Sequence, residues 1–354
     1  MVSMPQPFIS IDGCRIGDDA PPYMIAEISG NHNGDLGRAM ALIDTAKAAG
    51  ADAVKLQTYT ADTLTIDHDS SDFRIEGGAW DGRTLYDLYE EAHTPWDWHE
   101  ALFTHARSIG ITVFSSPFDE TAVDFLEALD CPAYKIASFE AADFALLKKV
   151  AATGKPLIIS TGVINMEEIG ETLDIVHQEK NDQVALLHCI SSYPAAPEDM
   201  NLRAITNLQN RFDTVVGLSD HSLGTTASIT SIALGAAIIE KHFTLDRSDG
   251  GPDAAFSLEP EELKELCSAC RTASLALGEV GAPQKSSTQK NAKFRRSLYV
   301  VRDILAGETF TPENVRSIRP GFGLAPKYLG DVIGRKSNQN IARGTALSLD
   351  FVMD

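Results

Sequence analysis

The sequence lacks a long hydrophobic run. No stretch of its 354 residues approaches the roughly 20 consecutive apolar residues that span a bilayer. The N-terminal segment also lacks a basic stretch followed by an apolar one, which is the pattern of a secretory signal. We therefore expect a cytoplasmic protein without a membrane-embedded part.

Basic residues and cysteines are both scarce. Thirty Lys and Arg residues stand against 50 Asp and Glu, giving a net charge of −20. This balance argues against a nucleic-acid surface and confines any phosphate site to a local basic pocket. The five cysteines are scattered and odd in number, as is usual in a reducing cytosol. Cys267 and Cys270 form a CxxC in a helical run, and we interpret them as ordinary helix residues.

Short apolar runs alternate with longer helical patterns from residue 24 to about 278. Eight such β-then-α units are typical of an α/β protein with a TIM (β/α)8 barrel, and an open doubly wound sheet is the alternative. Several helical patterns end at a glycine just before the next strand, as a helix C-cap does. The predicted strands cover 24–29, 53–59, 112–118, 133–138, 157–162, 184–191, 214–220 and 237–245.

The composition and periodicity of the sequence change near residue 281. The pattern predicts a barrel domain over 1–280, with a short cap hairpin within 1–23. Residues 281–293 are polar and aperiodic, which is typical of a linker. Residues 294–354 are rich in turns and short segments, which indicates a small β-rich domain.

Polar residues end every predicted strand. In the last one, GAAIIEKHFTL, the apolar run leads into Glu240, Lys241 and His242. Glu240 and His242 share one side of a pleated strand, while Lys241 points the other way, to the outside of the barrel or into a loop. Because the C-terminal ends of barrel strands meet on one face, this face is predicted to be an active site.

Two lysines, Lys55 and Lys135, lie within otherwise apolar strands, so each needs an anion. They could form buried ion pairs with Glu27 or Glu140. Together with nearby hydroxyls they could instead bind a phosphate or a phosphorylated carboxylate. Either lysine could also be a Schiff-base nucleophile of an aldolase. The candidate hydroxyls are those of Ser116, Ser138, Ser160 and Ser219.

Two histidines, His221 and His242, end adjacent predicted strands. Neutral imidazoles there, with carboxylates at Glu27 and Asp253 in reach, suit a divalent ion with open positions. The alternative is a pair of general-base or core histidines. His32 is predicted to contact a ligand or to cap a helix. The histidines expected at the surface are His93, His99, His105 and His177.

The strand-end motifs occur in an order that resembles the sialic acid synthase family over nearly the full chain. They are EISGNHNGDL, AGADAVKLQTY, SSPFD, PAYKIASFE, ISTG, LHCISSYP, GLSDHS, IEKHFTLD, GPDAAFSL and IRPGFGL. The stretches LYDLYEEAHTPWDWHEALF and FSSPFDETAVDFLEAL are most similar to the pseudaminic branch of that family. The resemblance implies a TIM barrel followed by an antifreeze-like (SAF) domain.

The resemblance also implies a transferase reaction. Phosphoenolpyruvate would condense with an N-acetylated amino sugar, here a 2,4-diacetamido-2,4,6-trideoxy hexose, to a nine-carbon sialic-acid-like sugar and phosphate. The neuraminic and legionaminic branches are the alternatives. A lysine Schiff-base aldolase and a non-catalytic sugar-binding protein remain rivals from other classes.

Residue roles follow from the same resemblance. His221 and His242 would hold Mn²⁺, Co²⁺ or Mg²⁺, and Glu27, Glu140 and His221 would be catalytic. Phosphoenolpyruvate would bind at Lys55, Ser116, Lys135, Ser138, Ser160 and Ser219. The sugar would contact Gln57, Tyr193, Glu240, Asp253 and Arg319. Arg319 would come from the partner subunit of a domain-swapped homodimer.

Overall fold

The computed structural model describes residues 7–278 and 290–353, and its contacts divide the chain into two compact units after Gly278. Residues 281–289 of the predicted linker lie outside the described residues. None of the described helices is both long and apolar enough to cross a membrane.

A β-hairpin precedes the barrel in the first unit. Strands Phe8–Ile11 (β1) and Cys14–Gly17 (β2) pair antiparallel. They are joined by Asp12 and Gly13, which both have positive φ, as a two-residue type I′ turn requires. Alternate side chains of the hairpin are buried, so its inner face joins the main hydrophobic core.

Eight parallel strands follow the hairpin and close into a barrel. They are Tyr23–Glu27 (β3), Ala53–Thr58 (β4), Thr112–Pro117 (β5), Tyr134–Ile136 (β6), Leu157–Ser160 (β7), Val184–Cys189 (β8), Val215–Asp220 (β9) and Ile238–His242 (β10). Their order around the barrel is β10-β3-β4-β5-β6-β7-β8-β9. The predicted TIM barrel is confirmed, and the open sheet is excluded by this closure. Each predicted strand lies on an observed one, within a few residues at its ends.

Helices surround the barrel and are capped by side chains at several N-termini. Asp35 accepts a hydrogen bond from the Arg38 amide, and Asp119 accepts one from the Ala122 amide. The helices of this unit are Leu36–Ala49 (α1), Ala61–Leu64 (α2), Leu85–Ala92 (α3), His99–Ile109 (α4), Glu120–Ala128 (α5), Phe144–Ala151 (α6), Met166–Gln178 (α7), Ala204–Phe212 (α8), Thr226–Ile232 (α9) and Pro260–Leu277 (α10).

The core lies between the barrel and its helices. On β4, Val54 and Leu56 pack into this layer, while Lys55 and Gln57 point to the other side of the strand. Both faces of each strand are covered, so the strands read as nearly continuous buried runs. The alternation leaves the interior of the barrel mouth to polar side chains.

The second unit has its own small core. Strands Ser297–Val300 (β11) and Val315–Ile318 (β12) pair antiparallel, and a short helix, Leu329–Val332 (α11), follows. Leu298, Val300, Phe310 and Val315 are among its buried apolar residues. Arg319 comes directly after β12 and is exposed.

Candidate active site

Four charged side chains from four strands meet inside the barrel mouth. Lys55 Nζ lies 2.6 Å from Glu27 Oε2 and 3.9 Å from Glu240 Oε2, and Lys135 Nζ lies 3.7 Å from Glu240 Oε1. All four side chains are buried. The alternating chain Glu27–Lys55–Glu240–Lys135 is therefore a charge network shielded from water.

The two lysines of this network differ in their surroundings. Burial lowers the pKa of a lysine, but the carboxylates of Glu240 and Glu27 overcome this at Lys55 and raise its pKa. Among the described residues Lys135 pairs with Glu240 alone, and burial lowers its pKa. Burial would raise the pKa of Glu240, yet the two ammonium groups keep it lowered. Lys135 is thus the less compensated cation and the better place for an added anion.

Hydroxyl groups accompany both lysines. Ser116 Oγ accepts a hydrogen bond from Lys55 Nζ at 3.3 Å, and Ser160 Oγ accepts one from Lys135 Nζ at 2.7 Å. Both serines are buried and lie at the ends of β5 and β7. The sequence expected hydroxyl groups around both lysines without pairing them, and the structure places Ser116 at Lys55 and Ser160 at Lys135.

The other two predicted serines make different contacts. Ser219 Oγ donates to Glu240 Oε1 at 2.9 Å, and Ser138 Oγ lies 2.7 Å from Ser191 Oγ. A side chain at Gly162 would collide with Ser191, so a glycine is required for the two serines to pack there. Ser138 is therefore hydrogen-bonded to Ser191 and, among the described residues, to neither lysine.

Glu240 lies between Lys55 and Lys135, a position that the sequence did not assign to it, and its contact with the sugar stays a prediction. Its position follows from β10, on which it shares the inner side with His242. Lys135 correspondingly pairs with Glu240 and not with Glu140, which the sequence alone also allowed.

His221 and His242 lie together beside the charge network, with ring centroids 5.5 Å apart. His221 Nδ1 lies 2.9 Å from the Ile190 carbonyl oxygen and is hydrogen-bonded to it. Burial lowers the pKa of His221 to about 4 and that of His242 well below its usual value. Both rings are therefore neutral near pH 7 and able to donate a lone pair.

These two histidines fit an open metal site rather than a closed one. His242 Nδ1 is buried, has no hydrogen-bond partner among the described residues, and lies 3.8 Å from Asp253 Oδ2. No group of three or more His, Cys, Asp or Glu side chains in the described chain is arranged to hold a metal. Two imidazoles, one with an unpaired buried nitrogen, suit an ion that takes its other ligands from water or substrate.

A hydrogen-bonded chain runs from Glu27, the partner of Lys55, to Asp253, which lies beside His242. Gln57 Nε2 donates to Glu27 Oε1 at 3.0 Å and to Ser29 Oγ at 3.1 Å. Ser29 Oγ in turn donates to Asp253. The sequence placed Gln57 and Asp253 at the site but gave Ser29 no role, and its signal was only its position after β3.

Aromatic rings form one wall of the histidine side. Tyr193 lies 4.3 Å from the His221 ring and Phe256 lies 5.0 Å from the His242 ring, measured between centroids. Trp80 packs 5.3 Å from Tyr193, and its indole N–H donates to the Pro252 carbonyl at 2.7 Å. Sequence reasoning named Tyr193 and missed Trp80 and Phe256, since both come from long loops.

Glu140 lies at the rim after β6 and is partly buried. Burial raises its pKa to about 7, and the nearby Lys135 opposes this. Its Oε2 atom has no hydrogen-bond partner among the described residues. A carboxyl group with this pKa can hold or release a proton near neutral pH.

The tryptophan-containing loop is packed against the barrel. Trp96 donates to the Tyr59 carbonyl at 3.1 Å and stacks on Phe125. His99 was expected at the surface, but it is fully buried, with Nε2 2.8 Å from Thr58 Oγ1. That expectation was wrong because a tertiary partner, Thr58, satisfies the imidazole inside the protein.

Comparison with known proteins agrees with this geometry. The family model described as "NeuB family" matches residues 42–282, and the SAF domain matches residues 295–353. The chain is 48% identical to a pseudaminic acid synthase of Campylobacter jejuni, over 93% of this chain and 96% of that protein. It is 41% identical to a pseudaminic acid synthase of Helicobacter pylori, over 94% and 98%. The crystal structure of the N-acetylneuraminic acid synthetase of Leptospira borgpetersenii matches with a TM-score of 0.74 and 31% identity, over 82% and 96%.

Proposed function

The chain belongs to the NeuB family, and from this premise we propose that it condenses phosphoenolpyruvate with an N-acetylated amino sugar. The product is a nine-carbon sialic-acid-like sugar, formed together with phosphate by C–O cleavage. The acceptor is a 2,4-diacetamido-2,4,6-trideoxy hexose, so that the product is pseudaminic acid.

The observation that carries this proposal is the pair of buried lysines with its hydroxyl partners. A buried ammonium such as that of Lys135, paired with Glu240 alone among the described residues, gains from an arriving anion. Lys55 and Lys135 hold the phosphate and carboxylate groups of phosphoenolpyruvate, and Ser116 and Ser160 donate to the same oxygens. Ser138 and Ser219 support this side of the site.

His221 and His242 hold a divalent cation, for which we propose Mn²⁺, Co²⁺ or Mg²⁺. When bound, it supplies Lewis-acid polarisation of the acceptor's aldehyde oxygen. Neutral imidazoles are available at neutral pH because burial lowers the pKa of both rings. Asp253, close to His242, orients the acceptor or a water at this point.

The chain's residues then act on charge and protons. C3 of phosphoenolpyruvate attacks the aldehyde carbon, water adds at C2, and the tetrahedral intermediate expels phosphate. Lys55 and Lys135 stabilise the negative charge on the departing phosphate. Glu140, whose pKa is raised to about 7, accepts the proton that the added water loses or returns it. Glu27 is the second carboxylate available for this role.

The histidine side of the site supports a deoxygenated, acetylated acceptor. Trp80, Tyr193 and Phe256 form an apolar wall beside His221 and His242. An acetamido methyl or the methyl of a 6-deoxy sugar gains from such a wall, whereas a hydroxymethyl group loses hydrogen bonds to water there. Gln57 is the neighbouring polar group for sugar hydroxyls.

A phosphate-release assay tests the function and the acceptor together. With phosphoenolpyruvate and a divalent metal, the 2,4-diacetamido-2,4,6-trideoxy hexose should give at least about tenfold higher kcat/KM than N-acetylmannosamine, the scale set by one apolar group. The two acceptors should be compared at the same phosphoenolpyruvate concentration. A preference for N-acetylmannosamine would assign the neuraminic branch, and phosphate release with none of the sugars would contradict the function.

We propose that the working form is a homodimer in which each small domain completes the other subunit's site. The linker is 281–293, between a barrel domain of 1–280 and a small domain of 294–354. Support comes from Arg319 and Phe322, which are exposed, and from exposed apolar side chains in loops after barrel strands, Phe139 and Leu223. Arg319 donates to a carbonyl or hydroxyl of the sugar.

Mixed dimers test this exchange. Arg319→Ala and Lys135→Met chains should each be inactive, and their heterodimer should recover activity because one of its two composite sites is intact. Activity is measured on heterodimers purified with two different affinity tags, with Arg316→Ala as the control for loss of a neighbouring exposed arginine. Heterodimers that stay inactive would mean that Arg319 serves its own barrel or none.

We place the enzyme in the cytoplasm. All five cysteines are free thiols in the structure, four of them buried, which fits a reducing compartment. The substrate phosphoenolpyruvate is a small charged metabolite, consistent with that location.

A further inference from the structure

A second buried ion pair lies on the outside of the barrel, directly behind the two histidines. Lys241 Nζ is 3.0 Å from Asp220 Oδ2, and both side chains are almost completely buried under the helices. Lys241 was predicted to point outward or to lie in a loop; it points outward from β10 and is covered. No step of the proposed reaction uses this pair.

The register of the two strands fixes the position of this ion pair relative to the two histidines. Lys241 and Asp220 are Cα partners in the β10–β9 ladder, and each directly precedes a histidine. Successive strand residues point to opposite faces. The ion pair therefore joins the two strands on the outside of the barrel, next to the positions from which His242 and His221 point inward. A shift of one strand against the other would change the separation of both pairs at once.

Further hydrogen bonds fix the pair in one geometry. Asp220 Oδ1 accepts from the amide and the hydroxyl of Ser222 at 2.9 and 2.6 Å, and Oδ2 accepts from Ser228 Oγ at 2.5 Å. Lys241 donates to the Ser222 carbonyl. Ser222, which donates to Asp220 and accepts from Lys241, follows His221 directly, so the network also holds the loop that carries this ring.

A buried ion pair contributes little net stability compared with apolar side chains of similar size. Its use here is better explained by geometry, because directional bonds define one arrangement where apolar packing would allow several. We propose that Asp220 and Lys241 are positioning residues that set the distance and orientation of His221 and His242 for a divalent cation. This proposal rests on the proposed function, which assigns the cation to those histidines.

Cobalt titration tests the proposal without turnover. Co²⁺ added to the full-length protein is followed by its visible absorption, whose band shape reports the coordination geometry. Asp220→Asn and Lys241→Met should bind Co²⁺ at least about tenfold more weakly, the effect expected when the support of a metal ligand is lost, and with an altered band. Binding of inorganic phosphate at the lysines should stay within about twofold of wild type.

Three controls separate positioning from general stability. Arg271→Met removes the Asp52–Arg271 pair (3.1 Å) from another part of the barrel and should leave the Co²⁺ affinity and band unchanged. Ser228→Ala removes one bond to Asp220 and provides a milder variant if the first two fail to fold; it should show a smaller loss in the same direction. His242→Ala shows how the Co²⁺ affinity and absorption band change when one of the proposed metal ligands is removed.

The outcomes are distinct. Unaltered Co²⁺ affinity and band in the folded variants, Ser228→Ala included, would overturn the positioning role and leave the proposed function intact. Equal weakening in Arg271→Met would reduce the pair to a general stabilising contact and overturn it as well. Failure of the wild-type protein to bind Co²⁺, or binding unaffected in His242→Ala, would instead overturn the metal site itself.

Discussion

Replacing Lys135 by methionine should weaken phosphoenolpyruvate binding by about 10- to 150-fold, and turnover should fall further. This magnitude follows from a charged hydrogen bond, worth about 1.5–3 kcal/mol when lost. Methionine keeps most of the apolar stem and removes the ammonium that bonds Ser160 and pairs with Glu240. The measurement is the dissociation constant of phosphoenolpyruvate by calorimetry, together with kcat/KM.

The matched control is Lys149→Met, which removes a partly exposed lysine paired with Asp124 and should change neither quantity. Lys55→Met should also bind poorly, but it leaves Glu27 buried without its cation, so its thermal stability should fall more. Normal phosphoenolpyruvate affinity in both active-site variants would refute the phosphate pocket. Borohydride trapping of a lysine with pyruvate would favour the Schiff-base aldolase, for which the lowered pKa of Lys135 is the favourable feature.

Exhaustive chelation should abolish turnover, and Mn²⁺, Co²⁺ or Mg²⁺ should restore it. The reason is that His221 and His242 are neutral at pH 7, because burial lowers the pKa of each, and His242 Nδ1 lacks a partner among the described residues. Phosphate release is measured before chelation, after removal of the chelator, and after each metal is added back.

The control for this experiment is phosphoenolpyruvate binding at the lysines. It should persist in the chelated protein, since Lys55 and Lys135 do not depend on the histidines for their position. His221→Ala and His242→Ala should reproduce the loss and resist rescue. Full turnover after complete chelation would remove the metal from the mechanism.

The barrel and much of the site follow from sequence because a barrel converts strand order into spatial order. Polar residues at strand ends must meet on one face, which is why the sequence alone assigns Lys55 and Lys135 to one pocket. His221 and His242 end adjacent strands, so their proximity was also predictable. Barrel geometry alone predicted which residues lie close together, and the resemblance added the role of each.

What sequence could not supply was contact across the barrel and contact from long loops. Glu240 lies between two lysines whose strands are not its neighbours, and side-chain packing inside the mouth decides that pairing. Trp80 lies in a long loop after β4 and packs against Tyr193 on the histidine side of the site. Sequence periodicity does not predict where the residues of such a loop lie in space. His99 was misassigned because its partner Thr58 is distant in sequence.

The closure of the barrel joins β3 to β10, and in that ladder His242 is the Cα partner of Glu27. The first and last barrel strands therefore bring the opening and the end of the barrel sequence into one pocket. The barrel part of this site is incomplete in a nascent chain until β10 has been made, because Glu240 and His242 lie on the last barrel strand. The charge network and the histidine pair should thus form only when β10 pairs with β3, a long-range contact of the kind that makes such topologies slow to fold.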